Sequence, residues 1–124
     1  MLLKDIYKVL TLDDKGAGKY NAQILVIENH DVFKGHFPGN PIMPGVCMMQ
    51  IIKELTSQVT NAQLMLQSLT NVKFMALINP FVTPQLTLEL EVAPTTDLVK
   101  VKAVTLFNDT VALKFSAVYK ILAQ

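Results

Sequence analysis

Residues 35 to 46 read Gly-His-Phe-Pro-Gly-Asn-Pro-Ile-Met-Pro-Gly-Val. They place one imidazole, His36, just upstream of a point where the chain can enter a helix at Pro44, Gly45 and Val46. The first N–H groups of a helix need acceptors, and Ser, Thr, Asp or Asn ahead of the first turn usually supplies one. Met43 stands before Pro44 and cannot. Pro44 suits the first helical position, where its missing N–H would be an orphan anyway, and Gly45 lets a ligand approach the backbone closely. Bare amides at the positive end of a helix stabilise an oxygen that gains negative charge, typically by about 3 to 4 kcal/mol per donor. A nearby histidine would be a natural base for chemistry at such an oxyanion or carbonyl site. A Pro/Gly-rich loop that only steers the chain into a helix, with His36 a hydrogen-bonding residue, reads the same way.

The elements that must position these groups follow from periodicity. From Pro44 the apolar positions Val46, Met48, Met49, Ile51, Ile52, Leu55 and Val59 occupy most sides of a helix that runs to about Thr60. Before it, the pattern predicts a hairpin: a short strand around Ile6 to Thr11, a turn over Asp13 to Gly18, and a strand over Lys19 to Ile27. After it come four segments of strand character: Leu69 to Ile78, Gln85 to Ala93, Leu98 to Leu106 and Thr110 to Leu122. Pro94 to Asp97 and Phe107 to Asp109 supply turns. Leu86, Leu88, Leu90 and Val92 alternate with Thr87, Glu89 and Glu91, as in a sheet with one covered face. The expectation is an α+β fold, an antiparallel sheet wrapped around one long apolar helix, forming a single domain over residues 1–124.

Composition narrows the partners. Eleven basic and ten acidic residues among 124 leave a net charge of +1, with the lysines scattered, which argues against nucleic acid. A hydrophobic content of 51% with 17% charged residues points to apolar surface covered in an oligomer. Cys47 is the only cysteine, so no intrachain disulfide forms, and it reads as a small core hydrophobe. Lys4, Asp5 and Lys8 interrupt the apolar start, and no run reaches the roughly 20 apolar residues of a membrane span, so a cytoplasmic location is expected.

The motif, followed by an apolar helix and antiparallel strands, resembles the hotdog-fold 3-hydroxyacyl-acyl-carrier-protein dehydratases of fatty acid synthesis. His36, Phe37, Pro38, Gly39, Pro41, Met43, Pro44, Gly45 and Val46 stand where that family's motif has them, and weaker likeness continues through Val72, Lys73 and Phe74. The resemblance implies a homodimer, or a higher oligomer, whose sheets join edge to edge. It also implies a tunnel between subunits for an acyl-phosphopantetheine arm on acyl-carrier protein or coenzyme A. His36 would remove the α-proton of a 3-hydroxyacyl thioester while the Gly45 N–H holds the carbonyl. Phe37, Pro38, Gly39, Pro44, Val46, Glu54 and Phe74 would bind the substrate. Nothing in the motif names a metal or other cofactor, and His30 with His36 is too sparse a pair for a metal site.

Two departures qualify the transfer. In the family, an acidic residue on the helix, contributed by the other subunit, protonates the departing hydroxyl, and here that position is Gln50. A carboxamide does not deliver a proton as a carboxylic acid does, and losing a general acid typically costs on the order of 10² to 10⁴ in rate. One turn later stands Glu54, where many members carry glutamine, so acid and amide look exchanged along one face. Glu54 would replace the acid poorly from there; a solvated or interface carboxylate is the plainer reading. The turn Thr83-Pro84-Gln85 also lacks the family's Gly-Asp pair.

Three functions follow. In the first the chain is a hydro-lyase, with His36 as base, Gly45 and Val46 as carbonyl donors, and Gln50 orienting hydroxyl or water. In the second it is a catalytically weak acyl-binding subunit beside a related chain that keeps the acid. In the third it is a thioesterase. Met48, Met49, Met65, Phe74 and Phe81 would set acyl length if they line the tunnel, and are core otherwise.

Overall fold

The structure, a computed structural model, describes residues 6–27 and 42–123. His30, His36, Phe37, Pro38, Gly39 and Pro41 lie outside the described residues.

The opening hairpin pairs β1 (Tyr7–Gly16) with β2 (Lys19–Val26). It is tighter than the sequence predicts, because Asp13 to Gly16 continue the strand and only Ala17 and Gly18 turn. A bulge between Asp14 and Gly16, with the Gly16 N–H donating to the Asp14 carboxylate at 2.8 Å, carries the chain into the turn. At Gly18 (φ 79°) a Cβ would lie 2.4 Å from the Val92 carbonyl oxygen, so glycine is required where the hairpin meets the sheet.

Helix α1 (Gly45–Thr60) buries Cys47, Met48, Ile51, Ile52, Leu55 and Thr56 on one stripe, narrower than its apolar spacing predicts, since Val46 is exposed and Met49 and Val59 are half-buried. Thr56 sits in that stripe because its hydroxyl donates to the Ile52 carbonyl at 2.8 Å. The helix stops at Asn61, which takes the left-handed conformation (φ 52°) and turns its N–H back to the Ser57 carbonyl.

The remaining strands are β3 (Gln63–Phe74), β4 (Gln85–Pro94), β5 (Leu98–Phe107) and β6 (Thr110–Ala123). All pairings are antiparallel, in the order β1-β2-β4-β5-β6-β3. Leu86, Leu88, Leu90 and Val92 of β4, Val99, Val101 and Ala103 of β5, and Leu113, Phe115, Ala117 and Tyr119 of β6 form one buried face, against which α1 packs. This is the hotdog arrangement, an antiparallel sheet wrapped around one helix, as expected.

Strand β3 departs from the expected Leu69 to Ile78. It begins six residues earlier and ends at Phe74, after which the Met75 and Ala76 N–H groups both donate to the Ala112 carbonyl. Among the described residues, no helix is long and apolar enough to cross a membrane.

Candidate functional site

The start of α1 is built as a bare helix end. Pro44 is the N-cap, extended at φ −63° and ψ 141° with no capping side chain, so Gly45 rather than Pro44 is the first helical residue. The Pro44 carbonyl accepts from the Cys47 and Met48 N–H groups at 3.0 and 3.2 Å. The N–H groups of Gly45 and Val46 find no acceptor among the described residues. Met43 anchors the approach by donating its N–H to the Ile78 carbonyl at 2.8 Å.

Phe74, at the end of β3, lays its ring against Gly45. A Cβ built on Gly45 would stand 2.6 Å from the ring's Cζ, so the ring occupies the space a side chain would need. Phe74 is itself more than half exposed, which makes it the rim of the helix end rather than part of the core.

One turn into α1, Gln50 donates from Nε2 to the Glu54 carboxylate at 3.1 Å. The other Glu54 oxygen accepts from the Tyr7 hydroxyl at 2.6 Å, a bond that spans the fold from β1. Both carboxylate oxygens are thus engaged, and Glu54 is partly buried rather than freely solvated. Burial pushes the Tyr7 phenol up, and the bonded, negatively charged Glu54 pushes it further, so its proton stays in place as the donated hydrogen.

Gln50 and Val46 also line a cavity of about 240 Å³ with Met49, Lys53, Leu66, Phe115 and Tyr119. Its walls come from α1, β3 and β6. Burial drives the Tyr119 phenol from its ordinary value up to about 12. Two larger depressions, of about 400 and 470 Å³, lie across the outward sheet face among lysines and glutamates, away from these groups.

The structure therefore gathers Pro44, Gly45, Val46 and Phe74 at the helix end and Gln50 with Val46 at the cavity, and sets Glu54 behind Gln50. Met48 and Cys47 are core, and burial pushes the Cys47 thiol up. Met49 lines the cavity, while Met65 and Phe81 are exposed. Tyr7, Leu66 and Tyr119 carry no motif, and only the folded register brings them to the site, whereas helical spacing alone puts Lys53 beside Gln50.

A hotdog sheet with an uncapped helix end at Gly45 defines a class of protein, and comparison with known proteins refines it. Residues 13–112 match the ApeI-like family (ApeI dehydratase), and the chain belongs to that family. The 3-hydroxyacyl-[acyl-carrier-protein] dehydratase FabZ of Ligilactobacillus salivarius is 41% identical over 54 residues, covering 44% of this chain and 36% of that protein. The FabZ of Rickettsia canadensis is 31% identical over 91 residues, covering 64% of each. The chain thus spans less than two thirds of the length of either relative.

Among solved structures, the dehydratase heterocomplex ApeI:P from Xenorhabdus doucetiae superposes with a TM-score of 0.75 at 18% identity, over 91% of this chain and 96% of that one. The yhdA protein from Lactococcus lactis superposes with a TM-score of 0.73 at 10% identity, over 100% and 99%. At these identities the likeness is one of fold.

Proposed function

We propose that the chain is a dehydratase-type hydro-lyase acting on 3-hydroxyacyl thioesters carried by acyl-carrier protein or coenzyme A, in fatty acid or related lipid biosynthesis. The observation that carries the reading is the pair of N–H groups at Gly45 and Val46, which meet no acceptor among the described residues at the positive end of α1 beside the Phe74 ring. Two such donors suit a thioester oxygen as the α-proton leaves and charge builds on it. His36, nine residues before Gly45, is the base in this reading, with Phe37, Pro38 and Gly39 as substrate-binding residues. Gln50 orients the departing hydroxyl or a water.

The active unit in this reading is a dimer joined along β3, with sites completed across the interface. The cavity supports that, since about 240 Å³ falls short of the roughly 300–1,000 Å³ typical of small-molecule sites. A second reading rests on the amide at position 50 together with Glu54's full engagement, which leaves no free carboxylic acid on this stretch of α1. There the chain is an acyl-binding subunit that lends His36 and its helix end to a related chain bearing the acid. The paired dehydratase of Xenorhabdus doucetiae is a precedent for a heteromeric assembly.

Enoyl formation from a 3-hydroxyacyl carrier substrate, followed by absorbance, tests the first reading. Wild type is expected to be active and His36→Ala to lose at least about 10² in rate, in line with removal of a general base. Equal rates in the two would end it. Thiol release without enoyl would point to a thioesterase instead. A heterodimer with a related, acid-bearing chain seen by native mass spectrometry, with activity only in the mixture, would favour the second reading.

A further inference from the structure

Gln50 lines the cavity, but which end of its amide the cavity meets is decided elsewhere. A carboxylate only accepts hydrogen bonds, so the atom Gln50 turns to Glu54 at 3.1 Å has to be nitrogen. The carbonyl oxygen therefore faces away from Glu54, and no donor among the described residues reaches it. Glu54 is in turn held at its other oxygen by the Tyr7 hydroxyl at 2.6 Å. Torsions that end in a carboxylate or an amide are broad and roughly two-fold, so an unanchored pair would sample several orientations. The bond from β1 removes that freedom, because Tyr7 lies on the sheet and Glu54 on the helix packed against it.

We propose that Tyr7 is a positioning residue: through Glu54 it fixes the Gln50 amide nitrogen-first, so that Gln50 offers a carbonyl oxygen to a hydroxyl on the acyl chain of a bound thioester. The proposal rests on the acyl-thioester reading and deepens it by naming what selects the hydroxylated chain. An acceptor held in a partly enclosed site favours a ligand that donates to it over an otherwise identical ligand that cannot. Tyr7 touches no substrate in this arrangement, and its effect passes wholly through Glu54 and Gln50.

The test uses the full chain and two non-reactive pantetheine thioether analogues, one with a hydroxyl at the third acyl carbon and one without, with binding measured by calorimetry. Wild type is expected to bind the hydroxylated analogue roughly three- to tenfold more tightly, the span of one hydrogen bond. Tyr7→Phe, which keeps the ring, is expected to erase that preference while leaving the deoxy analogue's affinity unchanged. Glu54→Gln, which offers either a nitrogen or an oxygen to Gln50, should erase it as well. Gln50→Ala should abolish the preference, and adding Tyr7→Phe to it should then change nothing, a coupling that a merely structural tyrosine would not show. Equal weakening of both analogues by Tyr7→Phe, or a preference that survives it, would overturn the inference and leave the acyl-thioester reading standing. Wild type that binds neither analogue would overturn both.

Discussion

At position 50 an amide occupies a place where a second carboxylate would change the chemistry of its neighbour. Gln50→Glu would set two carboxyl groups within hydrogen-bond reach, and like charges that close do not both ionise easily, so the pair would keep one proton to higher pH than an ordinary carboxylate. Tyr7 already serves one Glu54 oxygen, so residue 50 would carry the proton, and its O–H would turn from Glu54 to the departing hydroxyl in the cavity to deliver it. The variant is expected to raise enoyl formation by roughly 10² over wild type, with activity falling as pH rises through the pair's elevated midpoint. A flat pH profile at wild-type rate would count against this assignment. The tyrosines set a second expectation. Tyr7 and Tyr119 are both raised in the folded state, Tyr119 from 10.0 to about 12, so above pH 10 the unfolded chain loses these protons before the folded one does. Their contribution to stability is complete below about pH 10 and declines as pH climbs toward 12. Urea midpoints measured from pH 8 to 11 should fall for wild type and fall less steeply for Tyr7→Phe.

At the scale of elements, the start of α1 works because Gly45 and Phe74 share one small space. Gly45→Ala would bring a Cβ to within 2.6 Å of the ring, and since Phe74 is more than half exposed, the ring can swing aside at little cost in stability. The displaced ring and the new methyl would then crowd the Gly45 and Val46 N–H groups. Enoyl formation should drop at least about tenfold with a nearly unchanged melting temperature, and Phe74→Ala in the same chain should restore part of the rate. The helix was legible in the sequence because six buried residues recur on one stripe, and β4, β5 and β6 because one face of each is covered. Strand β3 was misplaced for a physical reason. It lies at the sheet edge, nearly every residue is exposed, and three irregularities in its pairing with β6 interrupt the alternation that marks a strand. The helix end and Gln50 could be read from the motif and its spacing. Tyr7 could not, because it meets Glu54 across 47 residues of sequence through a register that only the folded sheet defines.

At the scale of the molecule, the two sheet edges are protected unequally. Edge strand β1 carries Lys8, Asp13, Asp14 and Lys15, the charges that discourage pairing with another chain, whereas β3 carries only Lys73 in twelve residues. Met65, Leu66 and Leu69 are exposed along β3, and Leu66 also walls the cavity that holds Gln50. Pairing through β3 would cover this apolar edge and bring a second chain to the site, so assembly and ligand binding should be coupled. Leu69→Lys puts a charge on that edge without touching the cavity lining, and light scattering is expected to show a dimeric wild type and a monomeric variant. If the site is completed by the partner, the same variant should lose affinity for an acyl-pantetheine analogue, and that loss should diminish as protein concentration is raised and dimers re-form. A monomeric Leu69→Lys variant that binds the analogue as wild type does would mean that one chain holds the whole site.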